Sequence, residues 1–139
     1  MKVTFLGTGS AMPTGERAQT GLLFTDDDKQ LVIDVGSGTL SSLARTDIGS
    51  RGADTILLTH HHIDHVADLL PILKARWLSG EKETTVVGPP RTENLVLELL
   101  NVSAFEYLRE EIKVSTFEIN PGKHSIAGFD IRAAETIHS

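Results

Sequence analysis

Thr59-His60-His61-His62-Ile63-Asp64-His65-Val66 is the stretch on which the reading of this chain turns. It follows Asp54-Thr-Ile-Leu-Leu58, whose apolar run predicts a short strand buried on both faces. Imidazole nitrogen and carboxylate oxygen are the donors that zinc and similar ions accept. Alternate residues of an extended segment point the same way, so His60 and His62 are placed to grip one ion. Asp64 and His65 fall at the following turn, where they offer donors to a second. His61 faces away from its neighbours and is assigned packing or support rather than ligation. A surface tract or a tag is the bland alternative, but this run lies between a strand and a helical pattern, and clustered His and Asp are costly to bury without a partner.

Working outward, Val66 to Leu78 reads as a helix with Leu69, Leu70, Leu73 and Trp77 as its apolar stripe; Pro71 fits only in its first turn. Upstream, Lys2 to Leu6 predicts a strand ending in the irregular loop Gly7-Thr-Gly-Ser-Ala-Met-Pro-Thr-Gly15. Thr20 to Thr25 and Gln30 to Val35 predict a hairpin about Asp26-Asp-Asp-Lys29, and Thr39 to Arg45 a helix. Downstream come a strand at Thr84 to Val87, a helix at Arg91 to Asn101 and a helical turn or two within Ala104 to Glu110. Strands then follow at Ile112 to Ile119, His124 to Ala127 and Phe129 to Ile137, with His124 itself expected at a turn. Strands and helices in this order predict a mixed α/β fold with helices covering a sheet.

A chain of 139 residues has room for one core of ordinary size, so residues 1–139 are expected to form a single domain. Cysteine is absent, which excludes disulfides and thiolate ligands and fits a reducing cytoplasm. No stretch has the character of a secretory signal or a membrane span, so a soluble protein without a membrane partner is expected. The net charge of -6 argues against a broad basic face for nucleic acid, although bound cations reverse the local potential at a phosphate site.

The H-x-H-x-D-H pattern of His60, His62, Asp64 and His65 resembles the signature of the metallo-β-lactamase superfamily. Phe5-Leu-Gly-Thr-Gly-Ser-Ala-Met-Pro-Thr14, Ile33-Asp-Val-Gly-Ser-Gly-Thr39 and Ile137-His-Ser139 extend the resemblance to its ribonuclease Z-like branch. The resemblance implies the amino-terminal half of a four-layer αββα sandwich, with a carboxyl-terminal half lacking. It implies a metal-dependent phosphodiesterase that cleaves precursor tRNA at its 3′ end, or, as the alternative, a hydrolase of a small phosphodiester. It also implies two divalent ions, with zinc expected and manganese or iron as alternatives. His60, His62 and His138 would hold the first ion, Asp64 and His65 part of the second, and Asp64 would orient or deprotonate the attacking water. Asp34 would support the metal site, and Gly7, Thr8, Gly9 and Ser10 would border it. The family's bridging aspartate and last histidine are not found, so this chain alone is expected to hold at most one ion firmly. An exposed inner sheet face would be covered by self-association or by a complementary carboxyl-terminal half. An inactive metal-binding or assembly half is the reading of another class. The loop Gly36-Ser-Gly-Thr-Leu40 lacks the Glu and Gln that many tRNA-processing members carry there.

Overall fold

A computed structural model describes residues 1–12, 14–102 and 104–137. The first strands are β1 (Lys2–Gly7), β2 (Gly21–Asp26) and β3 (Lys29–Val35), followed by helix α1 (Thr39–Leu43) and a 3-10 turn at Ser50–Gly52. Then come β4 (Thr55–Leu57), α2 (Ile63–Val66), α3 (Leu69–Leu78), β5 (Glu83–Gly88), α4 (Thr92–Leu100), α5 (Glu106–Glu111) and β6 (Lys113–Glu118). A hairpin of β7 (Gly122–Ile126) and β8 (Phe129–Ala133) completes the described chain.

β1 to β6 form one sheet in sequence order, antiparallel from β1 to β3 and parallel from β3 to β6. The parallel strands need crossovers, and α1, α2–α3 and α4–α5 supply them. Mixed α/β architecture, as the alternation of elements predicts, is what the chain adopts. Among the described residues no helix is long and apolar enough to cross a membrane.

The larger core lies between the sheet and these helices: Leu23, Val32, Ile56 and Val86 from strands meet Leu43, Leu69, Leu73, Val96 and Leu108 from helices. β4 contributes to both sides, Ile56 to this core and Leu57 to a second one. The second joins Leu31, Leu57 and Val87 to Ile126 of the hairpin, with Phe24, Ile33, Phe129 and Ile131 packed around them. The expectation of a bare second face is therefore corrected, because β7 and β8 fold back over its centre. Its margins stay open. Phe5 pairs with Leu22 and Phe117 with Val87, so both share this face, and they are 70% and 58% exposed.

Two helical expectations change. The predicted helix from Val66 to Leu78 is broken at Ala67 and Asp68, giving α2 and α3. Asp68 turns its side chain away from its own helix: its carboxylate accepts the Leu40 N–H at 2.8 Å, while its N–H donates to Val35 O at 2.8 Å. These bonds tie the start of α3 to α1 and β3. Pro71 stands third in α3, within the first turn, where its missing N–H leaves no helical bond unmade.

The buried positions of α3 are Leu69, Ile72, Leu73 and Arg76, rather than the predicted stripe; Leu70 and Trp77 are only partly covered. Arg76 is buried because its guanidinium finds oxygen on every side. It donates to Thr84 Oγ1 at 3.0 Å, Glu83 O at 2.8 Å, Ser50 O at 3.3 Å and Arg51 O. Burial lowers its pKa, with Asp54 and Glu81 opposing the shift. His124 lies in β7 paired with Ile131, not in a turn, and its Nε2 donates to Asn120 O at 2.7 Å.

Candidate metal centre

The site forms beside the last residues of β3 and just beyond the end of β4. Their parallel register pairs Ile33 with Leu57, so Asp34, still within β3, stands level with Leu58 and Thr59 as the other strand leaves the sheet. Leu58 is still anchored, its N–H donating to Val87 O at 2.8 Å. Thr59 then donates its N–H to Asp34 Oδ1 at 2.8 Å, and its hydroxyl lies 2.8 Å from Oδ2 and 3.0 Å from Oδ1. Asp34 is buried with φ 59, a left-handed conformation costing a residue with a Cβ about 1 to 3 kcal/mol. The bonds its carboxylate accepts from Thr59 and His65 hold it there.

His60, His61 and His62 run through the loop between β4 and α2, and His62 is the residue before that helix, in extended conformation. His60 Nε2 and His62 Nδ1 face each other at 3.1 Å. Two imidazole nitrogens bound to one tetrahedral zinc at about 2.0–2.1 Å would stand roughly 3.3 Å apart, so this pair has the spacing of two ligands of one ion. Asp64 and His65 lie within α2, where Asp64 Oδ2 is 3.6 Å from His65 Nε2. His65 Nδ1 donates to Asp34 Oδ2 at 2.8 Å, which leaves Nε2 on the side of Asp64. The His60 and His65 ring centroids are 4.0 Å apart, so the two donor pairs adjoin.

His61 points elsewhere. Thr92 Oγ1 gives its proton to Pro89 O at 2.7 Å and accepts from His61 Nε2 at 2.8 Å, a supporting contact of the expected kind. Burial, and then the charge of Arg91, lower the pKa of His61, partly offset by Glu118. Glycine at position 36 is required by contact: a Cβ there would stand 2.0 Å from the Asp64 carbonyl oxygen. At Gly7 it would stand 1.8 Å from Gln19 O. The glycine-rich loop thus packs on Ala18 and Gln19, with Gly9 N–H donating to Ala18 O at 2.8 Å, and Gln19 in turn adjoins Gly36. Thr8 and Ser10 are exposed on that loop. Beside it opens a cleft of about 630 Å³ lined by Thr8, Arg17, Gln19, Ser37 and Arg45.

Among the described residues no group of three or more His, Asp or Glu side chains is arranged to hold an ion. His60 with His62, and Asp64 with His65, are two pairs of donors. The expected third donor, His138, lies outside the described residues, as do Ser139 and Pro13. The donor chemistry fits a divalent cation, with a histidine oriented by a carboxylate behind it, the arrangement that usually backs a metal-ligating imidazole. Thr59, Asp68 and Thr92 are the supporting residues that sequence reasoning missed. Nothing local marks them, since their partners lie 25, 28 and 31 residues away.

Solved structures similar to this mixed sheet and its helices are metallo-β-lactamase fold proteins. The metallo-β-lactamase fold protein YhfI of Bacillus subtilis superposes with a TM-score of 0.75 at 28% identity, covering 98% of this chain and 53% of that one. Human tRNase Z, short form, gives 0.73 at 25% identity over 85% of this chain and 44% of its own. Ribonuclease Z of Methanopyrus kandleri is 36% identical over 118 residues, which are 85% of this chain and 39% of the relative. The chain belongs to the family described as Anti-Pycsar protein Apyc1, whose profile matches residues 1–139. It spans less than half the length of the curated relatives it matches, consistent with an amino-terminal half of the metallo-β-lactamase fold.

Proposed function

We propose that this chain forms the amino-terminal part of a metal-dependent phosphodiesterase of ribonuclease Z type, acting on precursor tRNA. The observation that carries the reading is the pairing of His60 Nε2 with His62 Nδ1 at 3.1 Å beside an Asp34-oriented His65. His60 and His62, joined by His138, would hold one divalent ion; Asp64 and His65 would hold part of a second. Zinc suits this nitrogen and oxygen set, as manganese and iron do. A bound ion pair supplies Lewis acidity toward a phosphoryl oxygen and makes an attacking water more acidic. The chain's own contribution is position. Asp64 would orient or deprotonate that water, Asp34 holds His65, and Gly36 lets the backbone of α2 approach β3. Donors missing from both pairs, and a cover for the apolar margin at Phe5 and Phe117, would come from a complementary carboxyl-terminal half or a second copy.

A second reading, hydrolysis of a small phosphodiester, is favoured by the loop Gly36-Ser-Gly-Thr-Leu40, which lacks acidic and amide side chains. The family description also differs from the relatives' name, ribonuclease Z. The two readings separate in one assay. Purified chain with zinc or manganese is incubated with 3′-extended precursor tRNA and with bis(p-nitrophenyl) phosphate, with Asp64→Ala as control. Release of the tRNA trailer above the control supports the first reading, and turnover of the small ester alone supports the second. Turnover of neither, with no bound metal by elemental analysis, overturns both.

A further inference from the structure

The Thr59 hydroxyl sits between two groups of opposite demand. On one side is the Asp34 carboxylate, 2.8 Å from Oγ1, which when ionised only accepts hydrogen bonds. On the other is His60 Nδ1, at 3.0 Å. A hydroxyl has one proton, and the carboxylate is the stronger acceptor, so that proton goes to Asp34. Only lone pairs then face His60, and Nδ1 must be the nitrogen that carries a hydrogen.

We infer that Thr59 is a positioning residue: its hydroxyl relays Asp34 to His60, holding that ring as the Nδ1–H tautomer with Nε2 as the bare donor. The inference rests on the metal-centre reading for its purpose, though not for its geometry. Asp34 acts directly on His65 by the bond to Nδ1 at 2.8 Å. Through Thr59 the same carboxylate acts on His60, which belongs to the other donor pair. One buried charge thus sets the ring orientation at both positions. His62 fits the same arrangement, since its Nδ1 faces Nε2 of His60 at 3.1 Å, the nitrogen the relay leaves bare. Serine would serve in place of threonine, and valine, equal in shape, would not.

The test uses the full 139-residue chain with nitrogen-labelled histidine, alongside Thr59→Val and Thr59→Ser. Proton–nitrogen correlation spectra of the metal-free proteins report which ring nitrogen of His60 is protonated, with His60→Gln assigning the signal. Wild type and Thr59→Ser should show the proton on Nδ1, and Thr59→Val a mixture or the Nε2–H form. In zinc titration against a chromophoric chelator, Thr59→Val should bind about 10- to 100-fold more weakly, and Thr59→Ser within about threefold of wild type. The assignment is overturned if wild-type His60 carries its proton on Nε2. It is equally overturned if Thr59→Val keeps both the tautomer and the zinc affinity. A chain that binds no zinc yet shows the Nδ1–H form, lost in Thr59→Val, defeats the metal-centre reading and upholds the relay.

Discussion

The Asp34 carboxylate lies 2.8 Å from Nδ1 of His65, joining the end of β3 to α2 across 31 residues of sequence. Asp34 is buried and left-handed, so strain and desolvation concentrate at the residue that aims the histidine. Asp34→Asn keeps the size and the tolerance for a left-handed backbone while removing the charge. Zinc affinity should fall about 10- to 100-fold, read by chelator competition. Chemical denaturation should show a loss of about 1 to 3 kcal/mol, because the Thr59 and His65 donors lose a charged acceptor.

The histidines of the cluster should separate by role. His61→Phe should leave zinc affinity within about threefold of wild type, since its partner is Thr92, and should cost about 1 kcal/mol of stability for the lost bond. His60→Ala or His62→Ala should abolish tight binding. Equal losses from all of these substitutions would contradict the geometry.

Gly36→Ala probes the packing behind the site. The added methyl would meet the Asp64 carbonyl oxygen at 2.0 Å, so α2 must shift, carrying Asp64 and His65 with it. The expected result is a stability loss of about 1 to 3 kcal/mol, with zinc affinity reduced at least tenfold in titration calorimetry.

Arg76→Met removes the buried guanidinium and strands the carbonyls of Ser50 and Glu83 that it satisfied. Urea unfolding should show a loss of about 3 kcal/mol, in the range for hydrogen bonds to a charged group. Zinc affinity should change little in the folded variant, because Arg76 serves the opposite end of β4 and β5 from the histidines.

That His60, His62, Asp64 and His65 lie together was legible because short-range spacing is written locally. The elements were legible for the same reason. Apolar periodicity, the Asp26-Asp-Asp-Lys29 turn and Gly128 mark where strands and helices begin and end, and boundaries mostly shift by only a few residues. The break between α2 and α3 was not legible, since Asp68 leaves helical duty to hold Leu40, whose identity no local pattern reveals.

By itself, the amino-acid sequence determined the order of strands and helices and the place of the histidine and aspartate cluster beyond β4, because these depend on neighbours within a few residues. Only the tertiary structure decided that Asp34 governs His65 and meets Thr59, that His61 turns to Thr92, that Arg76 is buried, and that β7 and β8 cover the centre of the second sheet face. Each of those depends on strand register and on contacts between residues far apart in the chain, which exist only once the sheet has formed.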